Sequence, residues 1–330
     1  MQFEGVRILV TGGAGFIGSH LVERLLREGA FVVVLDNFST GKRENVMIGS
    51  GNKRFQLIEG DIRNKAFCEH AVAGCDFVLH QAALGSVARS ILDPLNTFEI
   101  NAGGFANMIS AAKNAKVKRF IYASSSSVYG DDPSTVKRED RLGVPLSPYA
   151  VAKRTNELLA LNFSKVYGFE TIGLRYFNIF GPRQNPNGPY AAVIPKFIAA
   201  LKRHESPVIY GDGTNSRDFT YVENVVNANM LALTTENPEA INQVYNIACG
   251  ESTSLNELFE ILRKMLSTND SAIMDIKAQY AAPRQGDIAG SLAEIEKAKK
   301  MLNYQPSIAL TAGLYKTQQT SIFNCGNMGL

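Results

Sequence analysis

Near the middle of the chain stand three side chains suited to moving a proton at a substrate oxygen. Tyr149 and Lys153 are four residues apart in Pro148-Tyr149-Ala150-Val151-Ala152-Lys153. In a helix that spacing puts both on one face. A tyrosine with a pKa near ~10 is a poor base at neutral pH, but a nearby ammonium favours the phenolate and brings it toward working pH. Upstream, Arg119-Phe120-Ile121-Tyr122-Ala123 runs into Ser124-Ser125-Ser126-Ser127. A hydroxyl from that strand end, Ser125, can hold the substrate oxygen. A second group lies at the start of the chain, where Gly12, Gly15 and Gly18 recur in Thr11-Gly12-Gly13-Ala14-Gly15-Phe16-Ile17-Gly18 and Asp36 follows. Gly12 allows a tight turn, Gly15 lets backbone approach a pyrophosphate, and Gly18 lets a helix pack on a strand. Phosphates would sit at that helix's N-terminus, and an acid about 20 residues on meets ribose hydroxyls.

The elements that must position these groups are readable from the pattern. Ile8-Leu9-Val10 and Phe31-Val32-Val33-Val34-Leu35 are short, branched apolar runs, as buried parallel strands require. Between them Phe16, Leu21, Leu25 and Leu26 mark one face of a helix that Gly29 ends. Further strands are predicted at Phe55–Asp61, Phe77–His80, Arg119–Ala123 and Thr171–Asn178, with helices over Leu95–Ala115 and from Tyr149 to about Tyr167. Strands alternating with helices predict an α/β fold built on a doubly wound parallel sheet. Beyond Gly181-Pro182 the alternation loosens into a smaller mixed α/β region. Helices are expected from about Tyr190, over Glu223–Leu233, over Leu258–Leu266 behind a Ser254/Glu257 capping box, and over Leu292–Leu302.

Composition excludes several classes. The 330 residues are 45% hydrophobic and 20% charged, with net charge +3, too small a charge to argue for nucleic acid or membrane surfaces. No apolar run approaches the ~18 residues of a membrane span. The first strand begins almost at Met1, which leaves no room for a signal peptide. Cys68, Cys75, Cys249 and Cys325 form no C-x-x-C pair, and the histidines show no ligand spacing, so neither metal site nor disulfide framework is expected. A reducing cytoplasm is the expected location.

Together, the glycine triplet, Asp36, Ser125 with Tyr149-x-x-x-Lys153, Arg175-Tyr176-Phe177-Asn178 and Arg217-Asp218-Phe219 resemble the extended short-chain dehydrogenase/reductase family, specifically its NAD-dependent nucleotide-sugar epimerases. Leu84-Gly85-Ser86-Val87-x-Arg89-Ser90 and Tyr190-Ala191-Ala192-Val193-Ile194-Pro195 look most like the bacterial UDP-N-acetylglucosamine 4-epimerases. Sister dehydratases and decarboxylases carry a glutamate where Ser127 stands, and serine is a poor acid or base for losing water. The resemblance departs from the family pattern at Ala88 and Ala289.

The resemblance implies a Rossmann domain over 1–178 that binds NAD, with part of 217–247 returning to it, and a UDP-sugar-binding region over most of 179–330. It implies C4 epimerisation through a transient 4-keto sugar. Tyr149 would take the 4-hydroxyl proton, Lys153 would also hold the nicotinamide ribose, and Ser125 would position O4. Cofactor contacts are expected at Gly12, Gly15, Phe16, Ile17, Gly18, Asp36, Asn37, Ser39, Thr40, Gly41, Asp61, Ile62, Gln81, Ala82, Ala83, Ser86 and Tyr176, besides Tyr149 and Lys153. Substrate contacts are expected at Gly85, Ser86, Val87, Arg89, Ser125, Ser126, Ser127, Tyr149, Asn178, Ala191, Val193, Tyr210, Ser216, Arg217, Arg284, Asp287 and Ser291. Ser291 would face the sugar's C2 substituent or, more plainly, cap the helix starting at Leu292. Asp36 would occupy the place of a 2′-phosphate, which favours NAD over NADP. A homodimer is the family expectation. Epimerases of UDP-glucose and UDP-galactose or of UDP-glucuronate remain alternatives, and a non-catalytic dinucleotide-sensing protein is the alternative from another class.

Overall fold

The computed structural model describes residues 3–186, 191–283 and 290–326. Arg284, Asp287 and Ala289 lie outside the described residues. The first half alternates as expected: β1 (Arg7–Thr11), α1 (Phe16–Arg27), β2 (Phe31–Asp36), β3 (Phe55–Glu59), α2 (Lys65–Val72), β4 (Phe77–His80), α3 (Val87–Leu92), α4 (Pro94–Phe98), α5 (Gly104–Asn114), β5 (Arg119–Ser125), β6 (Val136–Lys137), α6 (Pro148–Tyr167) and β7 (Thr171–Tyr176). The second half has shorter pieces: β8 (Ile179–Phe180), α7 (Val193–Lys202), β9 (Val208–Tyr210), β10 (Ser216–Arg217), β11 (Thr220–Tyr221), α8 (Val222–Thr234), β12 (Gln243–Ile247), β13 (Thr253–Ser254), α9 (Leu255–Ser267), β14 (Gln279–Ala281), β15 (Gly290–Ala293), α10 (Glu296–Leu302) and α11 (Leu310–Gly326).

Seven strands form one parallel sheet in the order β12-β7-β5-β4-β1-β2-β3. Ile8, Leu9 and Val10 of β1 and Val32 to Leu35 of β2 are fully buried, because helices cover both faces of the sheet. α1 and α8 pack on one face, and α2 and α5 on the other. Each buried Val, Leu or Ile contributes roughly 1.5–3 kcal/mol, so the apolar strand runs dictate the sheet. Strand order reverses between β1 and β4, and ligands of open α/β sheets bind beyond the strand ends at such a point. Register brings Thr11 level with His80, and Ser125 level with Tyr176.

A third apolar cluster joins α7, α9, α11 and the short strands around them. The capping box is formed: Ser254 Oγ accepts from the Glu257 amide, and the Glu257 carboxylate accepts from the Ser254 amide.

Two local expectations are corrected. The helix expected over Leu292–Leu302 begins only at Glu296, and Gly290–Ala293 is a strand. Ser291 therefore caps no helix. It pairs with Arg217 of β10, while Leu292 and Ala293 pair with β6. Burial alternates along these four residues, a period of two that a four-residue piece hardly displays. The helix expected over Leu95–Ala115 is interrupted by a π-turn at Glu99–Gly103. Such bulges shift carbonyls out of the regular ladder, and here the Asn101 carbonyl accepts from Asn156 Nδ2 at 2.9 Å.

Candidate active site

The turn after β1 is shaped for close backbone approach. Gly12 has φ +67°, and a Cβ there would meet the Ala82 backbone at 2.8 Å. α1 then starts with no side-chain cap, so its first-turn N–H groups remain available at the positive end of the helix. Asp36 at the end of β2 is buried. Its Oδ2 accepts from the Ala14 amide at 2.9 Å and its Oδ1 from the Phe38 amide at 2.8 Å. Burial raises its pKa, and those two amides partly offset this. Asp61 beyond β3 is held at about 2, first by the Arg63 hydrogen bonds, and also accepts from Asn37 Nδ2 at 2.9 Å.

The opposite wall is built by β5 and α6. Ser147 caps α6 by accepting from the Ala150 amide, and Pro148 occupies the first turn, where its missing N–H costs nothing. Tyr149, Lys153 and Glu157 follow at four-residue intervals. Ser125 Oγ accepts from the Ser127 amide at 3.2 Å and from Ser127 Oγ at 3.0 Å. Its own proton is thereby left for Tyr149 or a ligand. Lys153 Nζ donates to the Ala123 carbonyl at 2.8 Å and lies 5.9 Å from the Tyr149 ring centre. Burial lowers Lys153 to about 8, the Glu157 charge acting in the other direction. The expectation that the nearby Lys153 ammonium brings Tyr149 down is corrected. Burial raises the Tyr149 pKa, and the group that pulls it downward is the Ser125 hydroxyl. The lysine ammonium uses one of its three donors on the Ala123 carbonyl.

Several supporting residues carry no sequence motif. Glu157, buried in the sheet–helix interface, accepts from Ser124 Oγ at 2.6 Å, from Arg175 Nε at 2.8 Å and Nη2 at 2.9 Å, and from Arg154 Nη1 at 2.9 Å. Burial pushes its pKa up, but Arg175 and these other donors hold it below the ordinary value. The pair ties α6 to β5 and β7, fixing the height of Lys153 over the strand ends. Asn101 clamps Leu84 by accepting from its amide at 2.7 Å and donating to its carbonyl at 3.0 Å. Asn229 donates to Tyr176 Oη at 2.9 Å, and Tyr176 donates to Gln81 Oε1 at 3.2 Å. Glu157 continues the Tyr149/Lys153 stripe, so helical spacing alone could have singled it out. Nothing in the sequence marks Asn101 or Asn229.

A cavity of about 470 Å³ follows the strand ends, lined by Gly12, Gly15, Phe16, Ile17, Gly18, Asp36, Asn37, Ser39, Thr40, Asp61, Ile62, Gln81, Ala82, Ala83, Gly85, Ser86, Ser125, Tyr149, Lys153, Tyr176 and Asn178. A second, of about 590 Å³, is lined by Ala191, Val193, Tyr210, Arg217, Lys196 and Arg203 among others, and Asn178 borders both. Gly41 does not line the first. A Cβ there would press on Ala14 at 2.9 Å, so this glycine lets the 37–42 loop lie on the turn. Val87 and Arg89 sit on α3, capped by Ser86 Oγ, which accepts from the Arg89 amide. Ser126, Ser127, Ser216 and Ser291 line neither cavity. Ser216 Oγ accepts from Ser252 Oγ at 2.8 Å, and Ser291 is 4% exposed.

Residues 8–248 match the model of the NAD dependent epimerase/dehydratase family. The chain belongs to that family. A UDP-N-acetylglucosamine 4-epimerase from Methanobrevibacter ruminantium M1, solved with UDP-N-acetylmuramic acid, is 39% identical with a TM-score of 0.90, over 98% of this chain and 100% of that one. A UDP-glucose 4-epimerase from Thermotoga maritima, solved with UDP-glucose, is 35% identical with a TM-score of 0.89, over 97% and 100%. A UDP-glucuronic acid 4-epimerase from Bacillus cereus, solved with UDP-glucuronic acid and NAD, is 33% identical with a TM-score of 0.86, over 95% and 98%. NAD is the family's cofactor, and the residues present fit it: a tight glycine turn, an uncapped helix N-terminus and an acid at the end of β2. Among the described residues no helix is long and apolar enough to cross a membrane.

Proposed function

We propose that this chain interconverts UDP-N-acetylglucosamine and UDP-N-acetylgalactosamine by inversion at C4. The reading rests on one observation above all. The cavity walled by Ser125, Tyr149 and Lys153 shares Asn178 with the second cavity, which Ala191, Val193, Tyr210 and Arg217 help to line. Residues 1–178, with part of 217–247, hold the dinucleotide, and 179–330 supply most of the nucleotide-sugar site. Tyr149 takes the proton of the 4-hydroxyl and later returns it. The Ser125 proton, left over by its two accepted bonds, steadies the same oxygen. Lys153 keeps a positive charge at the ribose end while anchored to Ala123. Arg217 serves the diphosphate as a planar cation. Bound NAD supplies the reversible hydride acceptor that the inversion needs.

The acetylated sugar is favoured by Ser291. It lies in register with Arg217, buried beside the cavity wall, where a larger side chain would push that wall into the room an N-acetyl group at C2 needs. Packed sites tolerate little extra volume, so Ser291→Tyr should suppress the acetylated pair selectively. The test is kcat/KM for UDP-N-acetylglucosamine and UDP-glucose in both proteins. An equal loss for both sugars would remove the support for Ser291 as the gate, and product analysis with UDP-glucuronate would decide the uronate alternative.

A homodimer is part of the proposal. Ile91, Leu92, Leu95 and Phe98 on α3 and α4 adjoin Val151, Leu158 and Leu161 on α6, and all are exposed, Leu92 by 74% and Leu95 by 78%. Such a contiguous apolar face suits a second copy. Leu158→Asp with Leu161→Asp should yield monomers by light scattering.

A further inference from the structure

Asp218 lies between Arg217 and Phe219, which both line the second cavity. It is fully buried and belongs to neither cavity lining. Its Oδ1 accepts from the Cys249 amide at 2.9 Å, and its Oδ2 from the Gly250 amide at 2.9 Å and the Ala293 amide at 3.4 Å. Its own amide donates to the Ser291 carbonyl at 3.1 Å. Its carbonyl accepts from Asn178 Nδ2 at 3.1 Å. Arg217 precedes it on β10, a strand of two residues. Two residues of ladder hold a strand weakly. A buried carboxylate that accepts three amides holds it firmly, because hydrogen bonds to a charged group are stronger than neutral ones.

We infer that Asp218 is a positioning residue for the diphosphate end of the substrate: its carboxylate fixes β10 against β15 and the loop after β12, and so sets Arg217 and Asn178 in the cavity. The inference rests on the proposed placement of Arg217 at a UDP diphosphate. A carboxylate used only for folding would leave ligand affinity untouched. This one is linked through a single peptide unit to an arginine of the cavity and through one hydrogen bond to the residue shared by both cavities. Its ionisation is also within reach of mild acid, since burial raises its pKa to about 6 while the three amides resist the rise. The charged and titratable groups around it are Glu251 and Cys249 from the loop after β12, Tyr304 from the segment before α11, and Arg217, its neighbour in the chain. β15 presents only Ser291 and Ala293.

The test uses UDP, whose binding needs no sugar turnover, on the NAD-loaded protein. Asp218→Asn keeps the shape, removes the charge and turns one acceptor into a donor facing N–H groups. Calorimetry should show UDP binding weakened roughly tenfold, the scale of one charged hydrogen bond, with bound NAD retained. For whichever UDP-sugar the wild type epimerises, KM should rise by a similar factor and kcat change much less. Unchanged UDP affinity with a lowered melting temperature would overturn the inference, and so would a loss of affinity matched by a loss of NAD. Should the variant not fold, the wild type decides. The diphosphate diester of a UDP-sugar does not titrate between pH 5 and 8. The substrate KM should therefore rise as pH falls through about 6, opposite in sign to a histidine gaining charge near an anion. A flat KM, or one that falls, overturns it. A protein that turns over no UDP-sugar yet binds UDP more weakly after Asp218→Asn would keep this inference and refute the proposed activity.

Discussion

The two halves of the molecule hold their functional side chains in opposite ways. On the dinucleotide side, Ser125, Tyr149 and Lys153 stand on a strand of seven residues and a helix of twenty, locked together by the Glu157–Arg175 pair. On the sugar side, Arg217 and Ser291 face each other across a pairing of only two residues per strand, steadied by one buried carboxylate. On the proposed function the reaction chemistry sits on a deep framework and the choice of sugar on a shallow one, so a single side chain is expected to retune the second without disturbing the first. That agrees with relatives of similar fold whose names specify three different sugars.

The contrast can be broken where it is strongest. Tyr149→Phe deletes one oxygen and should lower turnover by ~10²–10⁴-fold, the usual worth of acid–base catalysis, with NAD content unchanged. Turnover near that of the wild type would show that the wall does other work. Next comes its anchor. Glu157→Ala strands Arg175, buried and without its partner, and losing half of such a pair costs about 3–5 kcal/mol. Urea unfolding should show a large loss, and a small one would mean that the long framework needs no such lock.

A smaller effect concerns pH. His80 is buried at the end of β4, where burial and then the Lys153 charge hold its pKa at about 3, against 6.5 for the free side chain. Between those values only the unfolded chain binds the proton, so His80 subtracts stability as pH falls from about 6.5 toward 3. His80→Phe should flatten that part of the melting-temperature profile, and an identical slope in both proteins would show that His80 is already protonated when folded. The least effect is expected on the sugar side, where Ser254→Ala removes the α9 cap. It should cost about 1 kcal/mol with kcat/KM unaltered. A change in substrate specificity there would mean that α9 and the cavity are coupled more tightly than the short strands suggest.

The same difference governs what could be read from the residues. Ile8–Val10, Phe31–Leu35 and the Tyr149/Lys153 stripe each repeat long enough to reveal a strand or helix period, and the Ser254/Glu257 box marks its helix start. β10 and β15 are too short to show a period, so Leu292 fits a helical pattern in sequence although its pairing with β6 makes it strand. The π-turn at Glu99–Gly103 turns a carbonyl toward Asn156 of another helix, and Asp218 is satisfied by three amides distant in sequence. Contacts of that kind leave no local pattern.

Tyr149 occupies the first turn of α6, and first turns are where helices fray. Pro148, with its fixed φ, and the Ser147 cap are all that restrain that end from the chain side. Warming is therefore expected to loosen Tyr149, the proposed proton-transfer group, before Lys153, one turn deeper, or Glu157, two turns deeper and bound on both sides. Heat would then blunt catalysis through one mobile turn while the cofactor cleft and the rest of the sheet were still intact.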